Sequence, residues 1–169
     1  DGFFDDWRHI KPVFVANRDS VSTSLAVDSL LIACDPQHIY FLMALNQVVN
    51  VQMLDGMLSI LLDMDGREAT GGQFDDFRGV DLIIDLSPPR FRGGRTHFLG
   101  AAARTVVAIN DSITEEIPVN IYDTGFLPAP TFASSVFEMR IDSKMPFSDG
   151  APRPAKNILR GQLVFTDKD

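Results

Sequence analysis

The stretch that decides the fold is LAVDSLLIAC-DPQ-HIYFLMALN, residues 25–46. Two dense apolar runs flank Asp35-Pro36-Gln37. That tripeptide reads as a turn, because Pro presets φ and Asp can accept hydrogen bonds from the backbone just after it. Neither run holds the 3.6-residue period of an amphipathic helix, and both are bounded by turn residues, so both read as strands. Residues 25–34 are interrupted by Asp28 and Ser29. Residues 38–46 read as a strand buried on both faces.

The same rhythm continues outward. Residues 13–16 form the first apolar run and 48–53 another short strand. Asp55-Gly56 is a hairpin signal leading into a strand over 57–64, which ends on an acidic loop. A strand over 79–86 is stopped by Pro88 and Pro89, and residues 90–95 read as a Gly/Arg loop. Residues 104–110, 117–121, 135–142 and 159–166 complete the set. Pro118 assigns its strand to an edge. Nine or ten strands with almost no helix predict an all-β chain, a two-sheet β-sandwich or jelly roll.

A chain of 169 residues, 45% hydrophobic, predicts one domain with its own core and excludes intrinsic disorder. The longest unbroken apolar run is residues 39–45, far short of the roughly 20 needed to cross a bilayer as a helix. Fifteen basic against 23 acidic residues give a net charge of −8, which argues against a nucleic-acid partner. The single cysteine, Cys34, has no partner for an internal disulfide and reads as a buried, inert thiol. A chain opening at Asp1 fits a mature secreted protein and equally a segment of a longer one. Thirteen Phe against one Trp and two Tyr fit a well-filled core better than a ligand-facing aromatic surface.

Chemistry concentrates in DMDGREATGG, residues 63–72. Asp63 and Asp65 are two apart, so in extended chain both carboxylates face one side and can share a cation. Hard divalent ions take six to eight oxygens from carboxylates and carbonyls. Asp75, Asp76, Asp81 and Asp85 follow closely. The spacing is not that of an EF-hand, since Arg67 stands at the fifth position. A metal-free acidic turn is the competing reading. Nucleophile elbows, zinc-binding His-Glu-x-x-His motifs and phosphate loops are absent. His9, His38 and His97 lack ligand spacing and read as surface or partly buried polar residues. Arg90, Arg92 and Arg95 form a basic loop suited to a carboxylate or phosphate, or merely solvated.

Several motifs occur in the order found in one family. Asp1-Gly2-Phe3-Phe4-Asp5-Asp6-Trp7 resembles the opening of family 9 carbohydrate-binding modules and the related DOMON-like domains. His38-Ile39-Tyr40-Phe41-Leu42, the Asp63–Gly71 loop, Gly79-Val80-Asp81-Leu82 and the strand around Glu138 resemble further segments of that group. The resemblance implies a jelly-roll β-sandwich, secreted or periplasmic, appended to a larger enzyme or surface protein. It implies a structural Ca2+ held by Asp63, Asp65 and Asp81, and Trp7 as a packing residue. It also implies a non-catalytic accessory role, with a polysaccharide or a neighbouring enzyme domain as partner. Leu82 stands where the family pattern has Tyr, and the only Trp lies in the opening motif, which leaves Tyr122 as the candidate sugar contact. The alternative is a protein–protein interaction or structural module that binds no sugar.

Overall fold

The structure, a computed structural model, describes residues 4–16, 24–110, 113–143 and 160–167. A 3-10 turn, Asp5–His9, precedes β1 (Phe14–Val15), β2 (Val27–Cys34), β3 (His38–Val49) and β4 (Gly56–Asp63). Then come β5 (Gly72–Phe74), β6 (Phe77–Val80), β7 (Leu82–Leu86), β8 (Pro89–Arg92) and β9 (Arg95–Phe98). The chain continues through β10 (Ala101–Asn110), β11 (Ile113–Val119), a 3-10 turn at Ile121–Thr124, β12 (Leu127–Ala129), β13 (Ser134–Asp142) and β14 (Arg160–Asp167).

Ten of these strands make two five-stranded antiparallel sheets, ordered β1-β2-β3-β13-β12 and β11-β10-β7-β4-β14. The all-β sandwich expected from the sequence is therefore present. The strands without a counterpart in the sequence reading are the edge strand β12 and the strands of the short ribbons β5–β6 and β8–β9, apart from the end of β6, which falls in the expected 79–86.

The alternation in the sequence explains the packing. On β3, Ile39, Phe41, Met43 and Leu45 point inward, and on β13 Phe137, Met139 and Ile141 do the same. They meet Leu58, Ile60 and Leu62 of β4 and Leu82, Ile84 and Leu86 of β7 from the facing sheet. Fully burying one such side chain stabilises by about 1.5–3 kcal/mol. A smaller cluster lies on the other face of the second sheet, where Leu61, Val80, Ile83 and Val106 are covered by Phe74 and Phe77 of the β5–β6 ribbon.

Several local expectations need correcting. Residues 48–53 are not a separate strand: β3 runs on to Val49, and 51–53 form a turn. Residues 90–95 belong to the β8–β9 hairpin rather than a loop. The strand expected over 79–86 is broken at Asp81. β3 is not buried on both faces, since His38, Tyr40 and Ala44 on the side away from the core are only half-buried. Cys34 is exposed, because it closes β2 at the sheet's end. Other expectations hold. β11, with Pro118, is an edge strand, and Trp7 is buried, its indole N–H donating to Glu138 at 3.4 Å. The opening residues 1–3 and Leu159 lie outside the described residues.

Candidate metal centre

Asp63 ends β4, Asp65 follows in the turn, and Asp81 occupies the break between β6 and β7. Because β4 and β7 are neighbours with Leu62 opposite Leu82, the end of one lies beside the start of the other. The break is pinned from both sides: Asp81 N–H donates to the Leu62 carbonyl at 2.8 Å, and its own carbonyl accepts from Val106 N–H at 2.9 Å. One carboxylate oxygen from each of Asp63, Asp65 and Asp81 lies within 4.8 Å of the others. Asp63 and Asp81 are fully buried, and Asp65 is half-buried.

Like charges this close in a low-dielectric site are costly unless donors or cations offset them. The loop supplies backbone donors: Gly66 N–H to Asp63 Oδ1 at 2.7 Å, Met64 N–H to Asp81 Oδ2 at 2.9 Å, and Arg67 N–H to Asp65 Oδ1 at 2.9 Å. The Thr70 hydroxyl lies 3.0 Å from both Asp65 oxygens. Arg160 of β14 adds a guanidinium, donating to Asp63 Oδ2 from Nε at 2.8 Å and from Nη2 at 2.5 Å. Its Nη1 reaches Glu68 Oε1 at 2.7 Å. Hydrogen bonds to Asp63 and then Glu68 raise the Arg160 pKa above its ordinary value, so it stays charged.

Gly79 makes the close packing of this loop feasible. Its φ is +82°, and a Cβ there would stand 2.6 Å from the Arg67 carbonyl and 3.1 Å from Asp63 Oδ2. Any side chain would push the acidic loop off β6.

The donor set suits a hard cation, because it consists of oxygens converging from three carboxylates. Asp63 Oδ2 already takes two N–H bonds from Arg160, whereas Oδ1 accepts one and keeps a lone pair. The remaining aspartates highlighted in the sequence lie elsewhere. Asp75 and Asp76 are exposed in the β5–β6 turn. Asp85 is buried on β7, accepting from Ser59 Oγ at 2.6 Å and paired with Arg104, whose Nε lies 2.8 Å from Glu116.

A second polar network borders the β2–β3 turn, where the backbone bonds to Asp35 expected from the sequence are joined by Tyr40 and His38. Asp35 Oδ1 accepts from the Gln37 and His38 N–H groups, each at 2.7 Å, and its Oδ2 accepts from Tyr40 Oη at 2.9 Å. His38 Nε2 lies 3.6 Å from Asp142. The two backbone bonds hold the Asp35 carboxyl below its ordinary value, and Asp35 raises the Tyr40 phenol.

Tyr122 lies in the Ile121–Thr124 turn, capped by Asn120, and its side chain is exposed. It is far from forming a stacked aromatic shelf: among the described residues the ring contact found is His38–Tyr40, tilted by 55°. Arg160 and Glu68 were not singled out from the sequence, whereas Thr70 belongs to the Asp63–Gly71 loop that carries the family resemblance. Arg160 is 97 positions from Asp63, and only the β4–β14 pairing, with Arg160 opposite Asp63, brings them together.

Comparison with protein-family models, with curated proteins and with solved structures finds no match to this chain.

Proposed function

We propose that this chain is a non-catalytic accessory β-sandwich whose acidic loop holds a structural Ca2+ through Asp63, Asp65 and Asp81. The observation that carries the reading is the convergence of these three carboxylates within 4.8 Å, two of them fully buried. Bound there, the ion would tie the end of β4 to the β6–β7 break and stiffen one end of the sandwich. It is a stabilising role, and no substrate chemistry is assigned to it. The resemblance to family 9 carbohydrate-binding modules supports a jelly-roll type and an extracytoplasmic setting, secreted or periplasmic. On this reading the domain serves a neighbouring enzyme domain or a polysaccharide, with Tyr122 as the candidate saccharide contact.

A specific observation favours the second reading, a packing module without sugar. Val13, Phe14 and Val15 are exposed at the edge of the first sheet, beside a cavity of about 400 Å3 lined by Phe14, Leu25, Val27, Leu30, Leu163 and Phe165.

Thermal unfolding with Ca2+ and with excess chelator tests the ion. Chelator lowers the melting temperature of the natural sequence, and Asp65→Asn, at a half-buried position, removes that sensitivity. Identical melting curves in Ca2+ and chelator contradict the proposal. Retention on a polysaccharide column, lost in Tyr122→Ala, separates the sugar-binding reading from the packing one.

A further inference from the structure

The β8–β9 ribbon carries three arginines and a histidine outside the acidic site, and its register sorts its side chains into two faces. Arg90 pairs with His97 and Arg92 with Arg95, while Pro89 pairs with Phe98 and Phe91 with Thr96. Cross-strand partners share a face and successive residues alternate. One face therefore carries Arg90, Arg92, Arg95 and His97, and the other carries Pro89, Phe91, Thr96 and Phe98. Phe91 is 80% exposed. Between the strands, Gly93 and Gly94 have φ of +61° and +76°, the two positive values a tight hairpin turn needs.

Among the described residues, the hydrogen bonds that tie the ribbon to the rest of the molecule lie at its base. Ser87 N–H donates to the Gly100 carbonyl, Gly100 N–H donates to the Gln52 carbonyl, and Ser87 Oγ bridges Val51 and Leu54. Met53 and Leu99, both exposed, flank this base, as does the exposed Asp55. Beyond it, the chain from Leu86 to Asn110 contains no acidic residue, although the whole carries −8. The β4–β7 register sets Leu58 opposite Leu86 and Leu62 opposite Leu82, so the ribbon and the acidic loop sit at opposite ends of these strands. Along β4 that separation is about 20 Å, more than twice the Debye length of about 8 Å at physiological salt. The acidic end is screened from whatever the arginines meet.

We propose that the β8–β9 ribbon is a docking arm for an anionic phospholipid surface, inserted tip first, with Arg92 and Arg95 on headgroup phosphates and Phe91 at the acyl boundary. Charge complementarity selects an anionic partner. The two-faced ribbon selects a lipid interface among anionic partners. A saccharide chain or a protein laid on one face leaves the other in water, whereas a lipid interface surrounds the tip and engages both. Arg92 directly opposite Arg95 is unfavourable in the free chain, and phosphates between them relieve the repulsion. This inference is independent of the calcium reading.

Vesicle sedimentation tests it, using phosphatidylcholine vesicles with and without phosphatidylserine, and soluble polygalacturonate as the competing polyanion. The chain sediments with phosphatidylserine vesicles and not with phosphatidylcholine alone. The pair Arg92→Gln and Arg95→Gln lowers binding by about thirtyfold, since each basic residue contributes about 1 kcal/mol at such a surface. The exposed ribbon lies outside both cores, so the melting temperature of that variant stays unchanged. In Phe91→Trp, emission shifts to the blue on vesicle addition. Absence of sedimentation, binding retained in the double variant, an unshifted Phe91→Trp spectrum, or binding to polygalacturonate without binding to vesicles each overturns the proposal.

Discussion

At Gly79 a missing side chain is what allows the acidic loop to rest on β6 beside Asp63. Gly79→Ala puts a methyl group into the Arg67 carbonyl at a positive φ, and should destabilise by about 2 kcal/mol in urea unfolding. Asp35 makes a separate pH prediction. Its carboxyl lies below the ordinary value in the folded state, chiefly through the Gln37 and His38 N–H bonds. A depressed carboxyl contributes stability above its unfolded pKa of about 3.9, and that contribution fades as pH falls through the lower folded value. NMR titration should give an Asp35 midpoint below that of an unfolded peptide, and Asp35→Asn should lose this part of the acid dependence. The turn itself was legible in the sequence, because Asp35-Pro36-Gln37 makes its bonds within three residues. Cys34 next to it was not: an apolar run suggests burial, but exposure depends on where the strand meets the end of its sheet.

Among the elements, β14 holds the acidic site together from a distance. Arg160 is one-third exposed while its partner Asp63 is fully buried. Arg160→Gln leaves that carboxylate without its guanidinium and destabilises the chain, by less than the loss of a fully buried pair because water reaches the arginine. Chemical unfolding in chelator measures that loss, and added Ca2+ should recover part of it. Long apolar runs gave the central strands β2, β3, β4 and β13 readily, since alternation and bounding turns are local signals. The β8–β9 ribbon escaped notice because polar arginines surround Gly93-Gly94, although that dipeptide is itself a hairpin signal. The break at Asp81 was invisible for another reason. It comes from β6 leaving to cover Leu61 and Ile83 while β7 stays in the sheet, a tertiary event with no marker in the chain.

For the whole molecule, two facing sheets follow from strand number and alternation. Which strands become neighbours does not. β13 lies between β3 and β12, and β4 lies between β7 and β14, pairings that span much of the chain. The candidate site was legible to the same extent. Asp63 and Asp65 stand out by spacing and Asp81 by resemblance, while Arg160 enters only through the β4–β14 register. The resulting molecule is polarised, with clustered carboxylates at one end of β4 and a cationic ribbon beyond the other. The central claim, a cation bound among the three aspartates, is tested most directly by calorimetric titration of Ca2+ into chelator-stripped protein, alongside Asp65→Asn. One saturable site that vanishes or weakens at least tenfold in the variant is the predicted result. No binding heat in the natural sequence, or the same isotherm in both, contradicts it.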